Sequence, residues 1–112
     1  MPFINTKTNV SISKEQETAH KTEFGKAISL IGKSEAWLML SFEGGSSLWF
    51  KGSDAPAAIA EVKLYGRASS SAYNALTGKL TEIISNILGV PAGRIYVKYE
   101  EVENWGLGGS NF

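Results

Sequence analysis

Apolar and polar positions follow one another along this chain in two successive runs of the same pattern. Pro2 to Thr8 reads as a strand. Ser13-x-x-Gln16 is a capping box, in which a serine oxygen and a glutamine side chain satisfy backbone amides at a helix start. Phe24, Ala27, Ile28 and Ile31 then fall at i, i+3, i+4 and i+7, one stripe of that helix, and Gly32 is placed to end it. Trp37 to Phe42 is a second strand, rich in apolar and aromatic residues. Gly44-Gly45-Ser46-Ser47 is a turn, Leu48-Trp49-Phe50 a short strand-like piece, and Gly52-Ser53-Asp54-Ala55-Pro56 a loop.

The pattern begins again at Ala57. Ala57 to Tyr65 reads as a strand, and Gly66 with Ser69-Ser70-Ser71 as a turn and helix start. Ala72, Leu76, Leu80, Ile83, Ile84 and Ile87 line one helical face, Gly89 ends the helix, and Arg94 to Glu100 is a fourth strand. Gly89 lies 57 positions after Gly32, and the strands that follow them keep the same offset. The repeats occupy about 2–50 and 57–107 of a single domain, 1–112. The fold class is α/β: a duplicated β-α-β unit, with a mixed four-stranded sheet and both helices on one face.

Strand parity describes the other face. Ala58, Ala60, Val62 and Leu64 point one way, and Ile59, Glu61, Lys63 and Tyr65 the other. In the fourth strand Ile95, Val97 and Tyr99 oppose Tyr96, Lys98 and Glu100. The aliphatic set suits the helices. The second set mixes aromatic and charged groups, as a subunit interface or a site would. The tail, Asn104 to Phe112, carries Trp105, Leu107 and Phe112 among glycines. A disordered tail rarely holds such residues, so the tail is expected to dock, with a neighbouring subunit as one surface for it.

Composition narrows the function classes. The chain has 112 residues, 43% hydrophobic and 20% charged, with zero net charge. No basic surface is available for nucleic acid or an anionic membrane. Without cysteine there is no disulfide or thiolate chemistry, and one histidine makes no metal site. His20 falls mid-helix with nothing to pair with and reads as a surface residue. Glu100, Glu101 and Glu103 read as a solvated acidic stretch. No signal peptide or membrane-length apolar run is present, so a soluble, cytoplasmic protein is expected, with release by a non-classical route left open. Nothing in the chain calls for a cofactor or metal.

Several residues, in this order and almost without gaps, resemble the macrophage migration inhibitory factor family of the tautomerase superfamily. They are Met1-Pro2 before a strand, Thr8-Asn9-Val10, Gly32-Lys33, Phe50-x-Gly52-Ser53-x-x-Pro56, Gly66, Arg94-Ile95-Tyr96-Val97-x-Tyr99 and Ser110-x-Phe112. The resemblance covers essentially the whole chain. It implies a homotrimer whose sheets line a central channel, with three sites between subunits. It also implies keto–enol tautomerisation of phenylpyruvate-like or dopachrome-like substrates, with Pro2 as general base and acid once Met1 is removed. An α-amine has an ordinary pKa of about 7.7–8.0, which apolar burial and nearby cations lower toward neutrality.

The resemblance makes Lys33 an anchor for a substrate carboxylate or carbonyl; by position alone it is a cation at a helix end. It gives the Tyr65 amide a substrate-binding role and brings Tyr96 from the neighbouring subunit. Lys98 stands where the family has a neutral amide and would favour anionic substrates, unless it is simply a solvated strand lysine. Phe3, Trp37, Trp105, Leu107 and Phe112 form the expected pocket wall. The usual pocket tryptophan is Leu107 here, while Trp105 precedes Gly106. A thiol oxidoreductase motif is excluded, since its two positions are Ala57 and Ala60. One alternative is a cytokine-like or other partner-binding protein of this fold, acting on a protein receptor with little turnover. Another is hydration or dehalogenation of a small acid, which would want an added carboxylate or arginine pair in the pocket.

Overall fold

The computed structural model describes Met1–Phe112. The first unit runs β1 (Pro2–Thr8), α1 (Lys14–Ala27) and β2 (Met39–Glu43). The second runs β3 (Ala58–Tyr65), α2 (Ser70–Leu88) and β4 (Ile95–Val102), and a small hairpin follows from β5 (Gly106–Leu107) and β6 (Ser110–Asn111). The sheet order is β2-β1-β3-β4. β1 is parallel to β2, β3 is parallel to β4, and the two units meet through the antiparallel β1–β3 pair. A helical crossover returns each unit's second strand parallel to its first, which is what a β-α-β connection requires.

The capping box forms as written: the Gln16 amide donates to Ser13 Oγ and the Ser13 amide to Gln16 Oε1, at 3.1 and 2.9 Å. Ser69 caps α2 through the Ala72 amide at 3.1 Å. Gly32 and Gly89 close the two helical segments with φ of 72° and 74°, where a side chain would be strained. The first helix is α-helical only to Ala27 and tightens into a 3₁₀ turn over Ile28–Ile31. Its stripe survives the change, because Phe24, Ala27, Ile28 and Ile31 are all buried.

Those residues meet Leu76, Leu80, Ile83 and Ile84 of α2 and the helix-facing side of the sheet: Ile4, Ala58, Ala60, Val62 and Leu64. The alternation in β3 is complete, its even-numbered residues buried and its odd-numbered ones half-exposed. Truncating a side chain here, as in Phe24→Ala, removes about 3–5 kcal/mol.

Three expectations are corrected. Trp37 is not in a strand: Ser34 Oγ accepts from the Ala36 amide at 3.1 Å, holding Glu35–Trp37 in a 3₁₀ turn, and β2 begins at Met39. Leu48-Trp49-Phe50 is not strand-like, because Phe50 pairs only with Ser53, across a tight turn. His20 is not a surface residue. It is fully buried on the stripe of Phe24, with its ring edge-on to Phe24 at 5.2 Å and tilted against Phe42 at 5.4 Å.

Candidate functional site

The start of β1 lies against the C-terminal end of β3, Pro2 opposite Leu64. Pro2 is buried. The carbonyl of Met1 accepts from the Tyr65 amide at 3.2 Å. The carbonyl of the same Tyr65 accepts from Lys33 Nζ at 2.8 Å. Lys33 follows Gly32, the left-handed residue that turns the chain out of the helical segment and toward β3. The α-amino group of Met1 is held below its ordinary pKa, first by burial and then by the Lys33 ammonium. The first residues of the chain, Lys33 and the Tyr65 peptide therefore share one environment. It offers a backbone N–H, an ammonium and a setting that favours a neutral amine.

The register fixes which residues share the uncovered sheet face. Met39, Ser41 and Glu43 of β2 lie beside Phe3, Asn5 and Lys7 of β1. Phe3, Asn5 and Lys7 in turn oppose Lys63, Glu61 and Ile59. Ile59, Glu61, Lys63 and Tyr65 neighbour Tyr96, Lys98, Glu100 and Val102. Phe3 thus lies on the face that carries Tyr65. The centre of this face is a polar lattice. Asn5 Nδ2 donates to Glu43 at 2.8 Å and to Glu61 at 3.4 Å, and Asn5 Oδ1 accepts from Ser41 at 2.5 Å. Lys98 stands 3.6 Å from Glu100 and 3.9 Å from Glu61. Glu100 also stands 3.6 Å from Lys63, so the two lysines share these carboxylates.

Tyr96 and Lys98 are not gathered with Pro2 in one chain. Pro2 pairs with Leu64, whereas Tyr96 pairs with Ile59, five residues back along β3 and on its other side. At about 3.3 Å per residue and 4.8 Å per strand, the separation is roughly 20 Å. Tyr96 of the same chain therefore does not reach Pro2.

The tail folds back on itself and touches the body of its own chain through the Phe112 ring, while all its residues but Trp105 stay exposed. Phe112 donates its amide to the Trp105 carbonyl at 3.1 Å, and its ring lies 5.8 Å from that of Tyr65. Phe112 therefore joins the Tyr65 end of the sheet. Trp105 is half-buried, while Leu107 and Trp37 are exposed. A cleft of about 420 Å³ opens beside Tyr65, lined by Gly66, Arg67, Glu101, Val102 and Glu103; Pro2 and Lys33 do not line it. Glu101 is not simply solvated, because its carboxylate accepts from Tyr73 Oη at 2.5 Å. No group of three or more histidines, cysteines or carboxylates is placed to hold a metal ion, and no helix is long and apolar enough to cross a membrane.

Two structural residues were not singled out from the sequence. Asn9 Nδ2 donates to the carbonyls of Leu48, Asp54 and Ala55, and its Oδ1 accepts from the Ala57 amide. Arg94 holds the same loop, and the Ala55 carbonyl accepts from both. Both occur in the motif segments, but only the folded chain shows what they bind.

The sequence profile described as Macrophage migration inhibitory factor (MIF) matches residues 1–112. The chain belongs to the macrophage migration inhibitory factor family. Among solved structures, MIF2 from Leishmania major is 32% identical, covers 100% of this chain and 97% of its own, and superimposes with a TM-score of 0.95. The family homologue from Prochlorococcus marinus is 30% identical over 98% of each chain, with a TM-score of 0.89. A macrophage migration inhibitory factor homolog of Brugia malayi is 25% identical, over 100% of this chain and 99% of its own. Family membership accounts for the duplicated unit and for the mixed four-stranded sheet.

Proposed function

We propose that this family member is a keto–enol tautomerase of phenylpyruvate-like or dopachrome-like substrates. Pro2 is its general base and acid once Met1 has been removed. The observation that carries the reading is the shared environment of the chain's start, Lys33 and the Tyr65 peptide. With Met1 gone, the secondary amine of Pro2 is the titrating group there. Burial and the Lys33 ammonium, which hold the Met1 amine below its ordinary pKa, would act on the Pro2 amine in the same direction. A base poised near neutral pH is what proton abstraction beside a carbonyl needs. Removal of Met1 also frees the Tyr65 N–H to meet the substrate's oxygen, with the Lys33 ammonium beside it to balance the developing negative charge. The proton returns to the neighbouring carbon from the Pro2 ammonium.

The active unit is a homotrimer. The roughly 20 Å between Pro2 and Tyr96 within one chain supports a site shared between copies. Tyr96, 59% exposed, and Trp49, 66% exposed, are free for such contacts. Phe3 and Phe112 wall the pocket near Tyr65, with Trp37, Trp105 and Leu107 completed by the neighbour.

The second reading, a receptor-binding or signalling protein with little turnover, draws on the same exposed aromatics. The two are separated by phenylpyruvate enolisation in Met1-free wild type, Pro2→Gly and Lys33→Ala, with light scattering on each. The tautomerase reading expects turnover by trimeric wild type and loss in both variants. Equal rates in wild type and Pro2→Gly would leave the binding reading standing.

A further inference from the structure

The loop from Phe50 to Pro56 is not part of a sheet; Asn9 binds the Asp54 and Ala55 carbonyls, and one further side chain spans the loop from end to end. Arg94 ends a 3₁₀ turn (Ala92–Arg94) immediately before β4, two residues before Tyr96. Its Nε donates to the Pro56 carbonyl at 2.9 Å and its Nη1 to the Phe50 carbonyl at 3.0 Å. Its Nη2 donates to the carbonyls of Ser53 and Ala55 at 3.1 and 3.0 Å. Four of the five guanidinium N–H donors are thus spent on backbone. No carboxylate pairs with Arg94, and the guanidinium carbon also sits 5.2 Å from the centroid of the Phe50 ring.

What the clasp holds is a strained turn. Phe50 and Ser53 exchange backbone hydrogen bonds at 2.9 and 3.1 Å, around Lys51 and Gly52 with φ of 54° and 73°. Positive φ at both central residues is the mark of a type I′ turn, and lysine adopts it only under constraint. The Phe50 ring presented by this turn lies edge-on to Tyr96 at 4.9 Å. Leu48, Trp49, Phe50, Ile59 and Tyr96 line one apolar cleft, and Arg94 lies at its wall.

We infer that Arg94 is a positioning residue: by locking the Phe50–Pro56 loop it sets the Phe50 ring against Tyr96, and so fixes the pose in which Tyr96 is offered to the neighbouring subunit's site. The inference rests on the tautomerase reading for its catalytic consequence. Arg94 touches no substrate. It replaces with one rigid fork the hydrogen bonds that a regular strand would have given the loop. Lysine keeps the charge but lacks the planar fork, so it cannot serve four carbonyls together.

The test uses Met1-free Arg94→Lys and Arg94→Met in the full chain, labelled with 3-fluorotyrosine. Light scattering and thermal melting report assembly and folding. The fluorine resonance of Tyr96 is assigned with Tyr96→Phe. The expected result is a shifted or broadened Tyr96 resonance in both variants. With it, KM for phenylpyruvate rises about three- to ten-fold at a kcat within about two-fold of wild type. The pH profile of kcat stays unchanged, because the Pro2 environment is untouched. A Tyr96 resonance identical to wild type in both variants would overturn the clasp. A moved resonance with KM unchanged, in an enzyme whose turnover depends on Pro2, would overturn its catalytic consequence. Absence of Pro2-dependent turnover in wild type would overturn the tautomerase reading instead, and the fluorine shift would still decide whether Arg94 poses Tyr96.

Discussion

The backbone N–H of Tyr65 donates to the carbonyl of Met1 at 3.2 Å, so the residue before Pro2 occupies a donor at the candidate site. While Met1 is attached, the Pro2 nitrogen is also an amide without basicity. One peptide bond thus blocks the base and the oxygen-binding donor together. A preparation that retains Met1 is expected to show no turnover above buffer. Removing Met1 is expected to move the Tyr65 amide resonance in a ¹⁵N–¹H spectrum, with a further shift on adding a carboxylate substrate analogue. An unmoved Tyr65 amide would mean that Met1 does not hold it.

Lys33 supplies both a hydrogen bond to the Tyr65 carbonyl and a positive charge beside the chain's start. Lys33→Met keeps much of the stem and removes the charge. Loss of a preorganised donor of this kind lowers kcat/KM on the order of 100-fold. A neighbouring cation disfavours a protonated amine, so its removal raises the amine pKa. The acid limb of the pH–rate profile should therefore move to higher pH. A limb that stays in place would separate Lys33 from the base.

His20 gives the fold an acid sensitivity. Its Nδ1 lies 2.7 Å from the Gln16 carbonyl, while its Nε2 is buried without a partner. Burial holds its pKa below the ordinary 6.5, against smaller raising effects from the Gln16 carbonyl and Glu17. The unfolded chain therefore binds this proton more readily than the native one. Stability from the neutral ring is complete above about pH 6.5 and is lost as pH falls from there toward the native pKa. The wild type should melt at lower temperature at pH 5 than at pH 7.5. His20→Phe, filling the space between Phe24 and Phe42, should show a smaller difference. An equal difference in both would place the sensitivity elsewhere.

Tyr73 behaves oppositely at alkaline pH. Burial, then its hydrogen bond to Glu101 and that carboxylate's charge, push its phenol up to about 12. The native state keeps this proton between pH 10 and about 12 while the unfolded chain releases it, so stability falls as pH rises through that window. Glu101→Gln should let one more tyrosine ionise at lower pH in an ultraviolet titration. Superimposable titrations would contradict the pairing.

Much of the scaffold was legible because local rules agreed with the global fold. The capping box at Ser13 and Gln16, the left-handed stops at Gly32 and Gly89, and the alternation of Ala58 to Tyr65 each follow from spacing alone. His20 was legible too, since it precedes Phe24 by four and so falls on the buried stripe; its polarity argued the other way. Trp37 misled because its aromatic ring suits a strand, whereas Ser34 capping decides the backbone there. The clasp of Arg94 and Asn9 on the loop could not be read from the sequence, because its acceptors are backbone carbonyls, which every residue carries. Nor could the sequence show that Lys98 stands beside Glu61 and Glu100.

The most direct test of the central claim follows the proton itself. Phenylpyruvate in D₂O, observed by NMR, exchanges its C3 hydrogens for deuterium each time an enolising base removes one. Met1-free wild type is predicted to accelerate that exchange over buffer, and Pro2→Gly to lose about 100-fold or more of the acceleration. Exchange at the same rate in wild type and Pro2→Gly, both folded and equally assembled, would contradict Pro2 as the base.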